Sequence, residues 1–376
     1  MKFIHTADWQ IGRVFGFSSS TDGHDASALL AKARLDVVES IAALARDEGV
    51  DAILVAGDVF DKQALSEDTL RRTYNAMAAF TGPWILLPGN HDAALAESVW
   101  TRSVRAGIVP SHVHLALDAT PLLFDEVRFA ILPAPLTQRH VHDDLTAYFD
   151  NEETPTGMVR IGLAHGSVAG VLPEAADSAN PIAPDRATSA GLDYLALGDW
   201  HGTKQINART WYSGTPEQDR FKDNDPGNVL LVEIDEAGAL PRVTPRRVGQ
   251  FRWHEANVDV HGLPDIEQLG EDLGSVGKEA VWRLQVGGVA DFQATERLSV
   301  IVNEARARAH VLETDLSALR LEPTEADLAS MQVDGALTAV VDELRERQAI
   351  PDQADAARES LRILFDILQR ERTGAA

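Results

Sequence analysis

Leu195-Ala196-Leu197-Gly198-Asp199-Trp200-His201 is a short apolar run that turns at a glycine and then offers two metal-binding side chains two residues apart. Four other stretches share the pattern. Phe3–Gln10 ends in Asp8 and Gln10, Ala52–Asp58 in Asp58, Ile85–Asp92 in Asn90 and His91, and Ile161–Gly166 in His165. Each run is too short for a helix and rich in Val, Ile, Leu and Phe, which marks a buried strand. Side chains two apart at a strand end face the same side, so Asp8 pairs with Gln10 and Asp199 with His201. Polar residues delivered from several strand ends to one sheet edge define a site, because ligands of layered α/β folds bind outside the strand ends.

The composition limits what that site can serve. A length of 376 residues favours two or three domains, and 44% apolar residues are enough for a real core. Cysteine is absent, which excludes disulfides, thiolate metal sites and thiol nucleophiles and fits a cytoplasmic location. The apolar stretch before Asp8 is too short for a signal peptide core, and no run approaches the ~20 residues of a membrane span. The net charge of −24 argues against a broad basic surface for nucleic acid. A phosphate ligand would have to be held by metals and a local basic patch.

Along the chain, Ala28–Asp47 has the apolar spacing of an amphipathic helix stopped by Gly49. Ser66 reads as an N-cap with a helix over Thr69–Phe80, and helices are also expected over Leu95–Ala106 and Gln138–Phe149. Further strands are expected at Val113–Leu117, Leu122–Phe124, Arg128–Leu132, Thr210–Ser213, Val229–Ile234 and Arg242–Val248. The alternation gives an α/β sandwich with mixed sheets. The character changes near Gln250, which divides the chain into residues 1–250, a small α/β module over 251–320 and a helical segment over 321–376. In the module, Phe251–Val260 and Ala280–Val286 read as strands, and Ile266–Leu273 and Thr295–Ala309 as helices. Ala356–Leu368 carries a broad apolar face of Leu361, Ile363, Leu364, Phe365, Ile367 and Leu368, which either packs on its own protein or docks a partner.

The segments Asp8-Trp9-Gln10, Gly57-Asp58-Val59-Phe60-Asp61, Gly89-Asn90-His91-Asp92, Ala164-His165-Gly166 and Gly198-Asp199-Trp200-His201 resemble the signature of the calcineurin-like metallophosphoesterases. His5-Thr6-Ala7-Asp8-Trp9, Leu132-Pro133-Ala134-Pro135 and Ser213-Gly214-Thr215-Pro216 resemble the SbcD-type DNA-repair nuclease branch more specifically. That resemblance implies a four-layer sandwich of two mixed sheets flanked by helices, followed by a DNA-binding cap. It implies two divalent cations about 3.5–4 Å apart. One would be held by Asp8, Gln10, Asp58 and His201, the other by Asp58, Asn90, His165 and Asp199. His91 would stabilise the phosphate or protonate the leaving oxygen, and the Asp61 carboxylate would orient and charge-support His91.

Gln10 and Asp199 stand where the branch usually has histidine. Both changes exchange nitrogen for oxygen, which suits Mn²⁺ or Mg²⁺ better than Zn²⁺, so Mn²⁺ is the expected activator. For substrate contact, Lys204, Arg220 and Lys222 flank the last metal motif, and Trp200, Trp9 and Phe221 are candidates to stack on a base, with core packing as the competing role. Arg209 flanks the same motif, and Arg242, Arg246, Arg247 and Arg252 form a second basic strip or ordinary solvated charge. These features point to a manganese-dependent DNA nuclease acting on single-stranded DNA, as an endo- or exonuclease. A homodimer and an SbcC-like ATPase are the expected partners, and no membrane is. The rival readings are a small-molecule phosphodiesterase and a tethering subunit of such an ATPase.

Overall fold

The computed structural model describes residues 1–17, 25–171, 180–322, 324 and 335–374. It separates into two compact units, one of residues 1–17 and 25–252, the other beginning at Trp253.

The first unit is built on strands β1 (Lys2–Thr6), β2 (Ala52–Val55), β3 (Trp84–Leu86), β4 (Val113–Leu115), β5 (Leu122–Phe124), β6 (Phe129–Ala134), β7 (Val159–His165), β8 (Ser167–Val168), β9 (Pro181–Ile182), β10 (Tyr194–Gly198), β11 (Lys204–Gln205), β12 (Thr210–Tyr212), β13 (Asn228–Glu233) and β14 (Arg242–Arg247). One six-stranded sheet has the order β14-β13-β1-β2-β3-β4 and another the order β11-β12-β10-β7-β6-β5. Both are mixed: β1 runs parallel to β2 and antiparallel to β13, and β10 runs parallel to β7 while β11 is antiparallel to β12.

Alternation along each strand sends successive side chains to opposite faces, and here both faces are covered. Phe3, Leu54 and Ile85 of the first sheet meet Phe129, Ile161, Leu163 and Tyr194 of the second in the central core. Their neighbours Ile4, Ile53, Val55 and Trp84 face outward onto α1 (Ala26–Glu48) and α2 (Glu67–Ala76) through Val38, Ile41, Leu70 and Tyr74. On the far side of the second sheet, Leu195, Leu197 and Tyr212 pack under Phe149 and Ala187, from the 3-10 turn Leu145–Asp150 and the short helix α4 (Arg186–Ser189). The result is helix, sheet, sheet, helix, in agreement with the expected sandwich.

Several local expectations are corrected. Helix α3 (Val99–Arg105) starts later than Leu95, where Ser98 forms a capping box with Thr101. Gln138–Asp144 is not helical. Its backbone is engaged elsewhere: Val141 N–H donates to Asn180 Oδ1 at 2.8 Å and Val141 C=O accepts from Asn180 N–H at 2.7 Å. Helix α2 ends at Ala76 rather than at Phe80.

The second unit contains β15 (Arg252–Val260), α5 (Leu263–Leu273), β16 (Ala280–Ala290), α6 (Phe292–Arg308), β17 (Val311–Asp315), β18 (Leu319–Leu321), α7 (Gly335–Arg347) and α8 (Ala354–Gly374). Its sheet has the order β15-β16-β17, with β18 also paired to β16, and β17 and β18 had no clear signal in the sequence. Leu361 is buried with Val341, Leu321 and Phe292, so part of the apolar face of α8 packs on its own unit. Ile363 and Ile367 are exposed, and the side chains of Phe365 and Leu368 lie outside the described residues.

One helix residue positions the strand ends. Arg34 of α1 is fully buried, donating from Nε to Trp9 O at 2.7 Å, from Nη2 to Asp8 O at 3.1 Å and from Nη1 to Glu217 O at 3.0 Å. The guanidinium fixes the turn after β1 against the turn after β12. Arg34→Met takes this donor from Trp9 O and leaves Asp8 O and Glu217 O to share the one Thr215 hydroxyl in a dry environment, a loss of about 3 kcal/mol. The expected result is a clearly lower thermal midpoint; an unchanged midpoint would contradict this role.

Candidate metal centre

The turns after β1 and β2 are laced together. Asp8 N–H donates to Gly57 O at 3.0 Å, Gln10 N–H to Asp58 O at 2.8 Å and Ile11 N–H to Val59 O at 2.9 Å. This bonding holds residues in backbone conformations they would not choose. Among the described residues, seven non-glycine positions have positive φ, and four of them are Asp8 (55°), Gln10 (44°), Asp58 (52°) and Asp199 (102°). Each costs on the order of 1–3 kcal/mol unless the surroundings enforce it, and such strain gathers at functional sites. Gly89 allows the close approach of a third turn: a Cβ there would fall 2.2 Å from Asp58 Oδ1.

The side chains so presented converge. Ligand atoms of Asp8, Asp58 and His165 all lie within 4.8 Å of one another, and all three residues are buried. His165 Nε2 stands 3.6 Å from Asp58 Oδ1 and 3.8 Å from Asp199 Oδ1. Asp199 N–H donates to Asp8 Oδ1 at 3.1 Å. Gln10 Nε2 lies 3.4 Å from both Asp58 Oδ2 and His201 Nε2. Two buried atoms, His165 Nε2 and Asn90 Oδ1, have no hydrogen-bond partner among the described residues. His165 Nδ1 lies 2.8 Å from Ala56 O and donates to it, so Nε2 is the ring nitrogen that faces the carboxylates, and it offers them a lone pair only once its own proton is displaced. A ring nitrogen and an amide oxygen without partners beside buried carboxylates suit a divalent cation, and the site fits one.

Electrostatics agree. Burial, followed by the neighbouring carboxylates Asp58 and Asp199, pushes Asp8 up to about 6 against the pull of His201 and His165. Burial likewise raises Asp199. For His165 burial works downward, but Asp58, Asp8 and Asp199 outweigh it and push the imidazole up to about 9.

Residues 1–176 match the calcineurin-like phosphoesterase family. Over 291 residues the chain is 39% identical to the SbcD component of the nuclease SbcCD of Rhodobacter capsulatus, covering 65% of this chain and 69% of that one. The chain belongs to the calcineurin-like metallophosphoesterases. Its likeness within the family is to the SbcD branch. It is 27% identical over 308 residues to the SbcD component of the nuclease SbcCD of Bacillus subtilis, covering 71% of this chain and 74% of that one. It is 26% identical over 282 residues to the DNA double-strand break repair protein Mre11 of Aeropyrum pernix, covering 67% and 62%.

The other candidate residues of this metallophosphoesterase divide between the centre and its surroundings. His91 is partly exposed; its backbone N–H donates to Asp58 Oδ1 at 2.9 Å and its Nε2 stands 3.9 Å from Asp58 Oδ2. Asp61 does meet His91, but through its backbone: His91 Nδ1 lies 2.8 Å from Asp61 O. The carboxylate of Asp61 is not the contact, because the turn after β2 presents its main chain to the ring. Trp9 is fully buried, donates from Nε1 to Thr6 Oγ1 at 2.9 Å and packs edge-on against Trp84, so it cannot stack on a base. Lys204 and Lys222 sit over the Trp200 ring at 5.1 and 4.2 Å. Arg209 and Arg247 bond to backbone carbonyls, Arg242 pairs with Glu233 and Arg246 with Glu48, so most of the second basic strip has partners in its own unit.

Two carboxylates carry roles that the sequence did not assign. Asp219 Oδ2 lies 3.1 Å from His201 Nδ1 and 3.0 Å from Arg13 Nη1. Burial favours its protonated form, but His201, Arg34 and Arg220 hold it well below the usual carboxylate range. Its contact with His201 is of the kind that carboxylates make behind metal-binding histidines. Asp92 accepts from Gly89 N–H at 2.6 Å and Phe60 N–H at 3.0 Å, closing the third turn, and burial with Asp58 nearby pushes it up to about 8. Asp92 was visible as part of a motif, whereas no spacing rule pointed to Asp219.

The raised His165 gives a pH signature. Without metal, its proton contributes stability that is fully present below the ordinary value of 6.5 and is lost as pH rises through about 9. A cation must displace that proton. Mn²⁺ affinity is therefore expected to rise with pH up to about 9, with proton release detected by calorimetry in buffers of different ionisation enthalpy. Binding without proton release across that range would contradict the assignment.

Proposed function

We propose that this chain is a DNA nuclease of two divalent cations, Mn²⁺ preferred, cutting phosphodiester bonds by direct attack of water. The observation that carries the reading is the burial of Asp8, Asp58 and His165 within one ion's reach of each other, with His91 at the rim. Asp58 is the shared ligand, with Asp8, Gln10 and His201 on one side and Asn90, His165 and Asp199 on the other. When bound, the cations act as Lewis acids on the phosphoryl oxygens and lower the pKa of water. His91 is held by its Nδ1 contact to Asp61 O, so its Nε2 is the atom that donates a proton to the leaving oxygen or stabilises the phosphate. Oxygen at positions 10 and 199, in place of imidazole nitrogen, supports manganese over zinc.

DNA as substrate is supported by the relatives' names, the nuclease SbcCD and the DNA double-strand break repair protein Mre11. An overall charge of −24 leaves phosphate recognition to local cations, and Lys204 and Lys222 over Trp200, with Arg220 against His201, are the ones beside the metal motif. A flexible single strand enters a recessed site more readily than a stiff duplex. The second unit and the C-terminal helices are assigned to DNA capping and to docking of an SbcC-like ATPase, with a homodimer as the assembled nuclease.

The test is circular single-stranded DNA incubated with the chain and Mn²⁺, Mg²⁺ or Zn²⁺ in turn. Nicking strongest in Mn²⁺ is expected, and His91→Ala should slow it by roughly 10²–10⁴-fold while still binding Mn²⁺. Activity with Zn²⁺ and none with Mn²⁺ refutes the metal preference. Turnover of bis-p-nitrophenyl phosphate with intact DNA circles replaces the nuclease reading with a small-molecule phosphodiesterase.

A further inference from the structure

The two sides of the metal centre are not built alike. On the His165 side, ligand atoms have no competing partner: His165 Nε2 and Asn90 Oδ1 are buried and unpartnered among the described residues, and the carboxylate oxygens of Asp58 and Asp199 stand 3.6 and 3.8 Å from that nitrogen. A cation with bonds of about 2.1 Å can bridge such gaps.

On the His201 side the lone pairs already face donors. Arg13 Nη1 donates to Gln10 Oε1, and the same guanidinium is anchored to Asp219 Oδ2 at 3.0 Å. An arginine has no acceptor, so this contact fixes which way the Gln10 amide points. Its oxygen, the only atom of that side chain able to ligate a metal, turns toward Arg13. Its NH₂ turns inward, 3.4 Å from Asp58 Oδ2 and 3.4 Å from His201 Nε2. Arg220 Nη2 lies against the same imidazole, 2.8 Å from His201 Nδ1 and 3.2 Å from Nε2. The Gln10 amide N–H and the Arg220 guanidinium thus face His201 Nε2, while Arg13 occupies the Gln10 oxygen.

We infer that the two cation positions have unequal affinity and that Arg13 is the positioning residue that weakens the His201 side, by holding the Gln10 carbonyl away from it. The inference rests on the two-cation reading above and adds an order of filling: the His165 side fills first, and the His201 side fills only when the Gln10 amide leaves Arg13. A phosphate entering between the arginines is the kind of group that could draw them off, since guanidinium pairs bidentately with phosphate.

The test is Mn²⁺ titration of the full chain without substrate, by calorimetry and by the electron paramagnetic resonance signal of free Mn²⁺. One tight ion is expected, with a second roughly 10–100-fold weaker. Arg13→Met frees the Gln10 oxygen and should bring the second ion close to the affinity of the first. Gln10→Glu gives an independent check of the same size and shape: one oxygen keeps Arg13 while the other replaces the inward NH₂, so the second site should again tighten. Two ions of equal affinity in the unaltered chain would overturn the inference, as would a gap that persists in both variants. No bound Mn²⁺ at all would instead remove the two-cation reading beneath it.

Discussion

Asp8 and Asp58 lie next to each other at the centre of the first unit with almost no access to solvent, 0% and 2% exposed. Like charges buried together are costly unless something of opposite sign is shared between them. In the metal-free protein that role falls to His165, whose proton is held to about pH 9 by the surrounding carboxylates. The proton is a placeholder with one charge where the carboxylates can accept more, and a divalent cation is the natural replacement. The chemistry of the chain follows from this unfinished neutralisation.

The rest of the first unit keeps those groups in place. The central strands of both sheets are buried on both faces, so they cannot shift register without exposing a full row of apolar side chains. The strand ends are then fixed by backbone bonds between turns, by Arg34 behind Asp8 and by Asp92 behind Asn90 and His91. Strained backbone at Asp8, Gln10, Asp58 and Asp199 is the local cost of aiming four side chains inward from short turns. Around this inner set lie Asp219, Arg13 and Arg220, which contact His201 and Gln10 from behind.

The strands and the inner set were legible because their signal is local: an apolar run, a turn and a donor two residues on. The same locality explains what was missed. Arg34 sits on an ordinary amphipathic helix and gains its role only from contact with turns at Asp8 and Glu217. Asp219 follows no strand-end pattern and is defined by His201 across a turn. Gln138–Asp144 has helix-compatible residues, but its bonds with Asn180 override that preference. Asp61 meets His91 through its carbonyl and not its carboxylate, a difference that sequence spacing cannot register.

The most direct measurement is anomalous diffraction at the manganese edge from crystals grown in Mn²⁺. A peak bonded to Asp58, His165, Asp199 and Asn90, with Asp58 reaching toward any second peak near His201, is the predicted result. Clean density with no anomalous signal among these side chains, or donors turned away from one another, would contradict the account at its root.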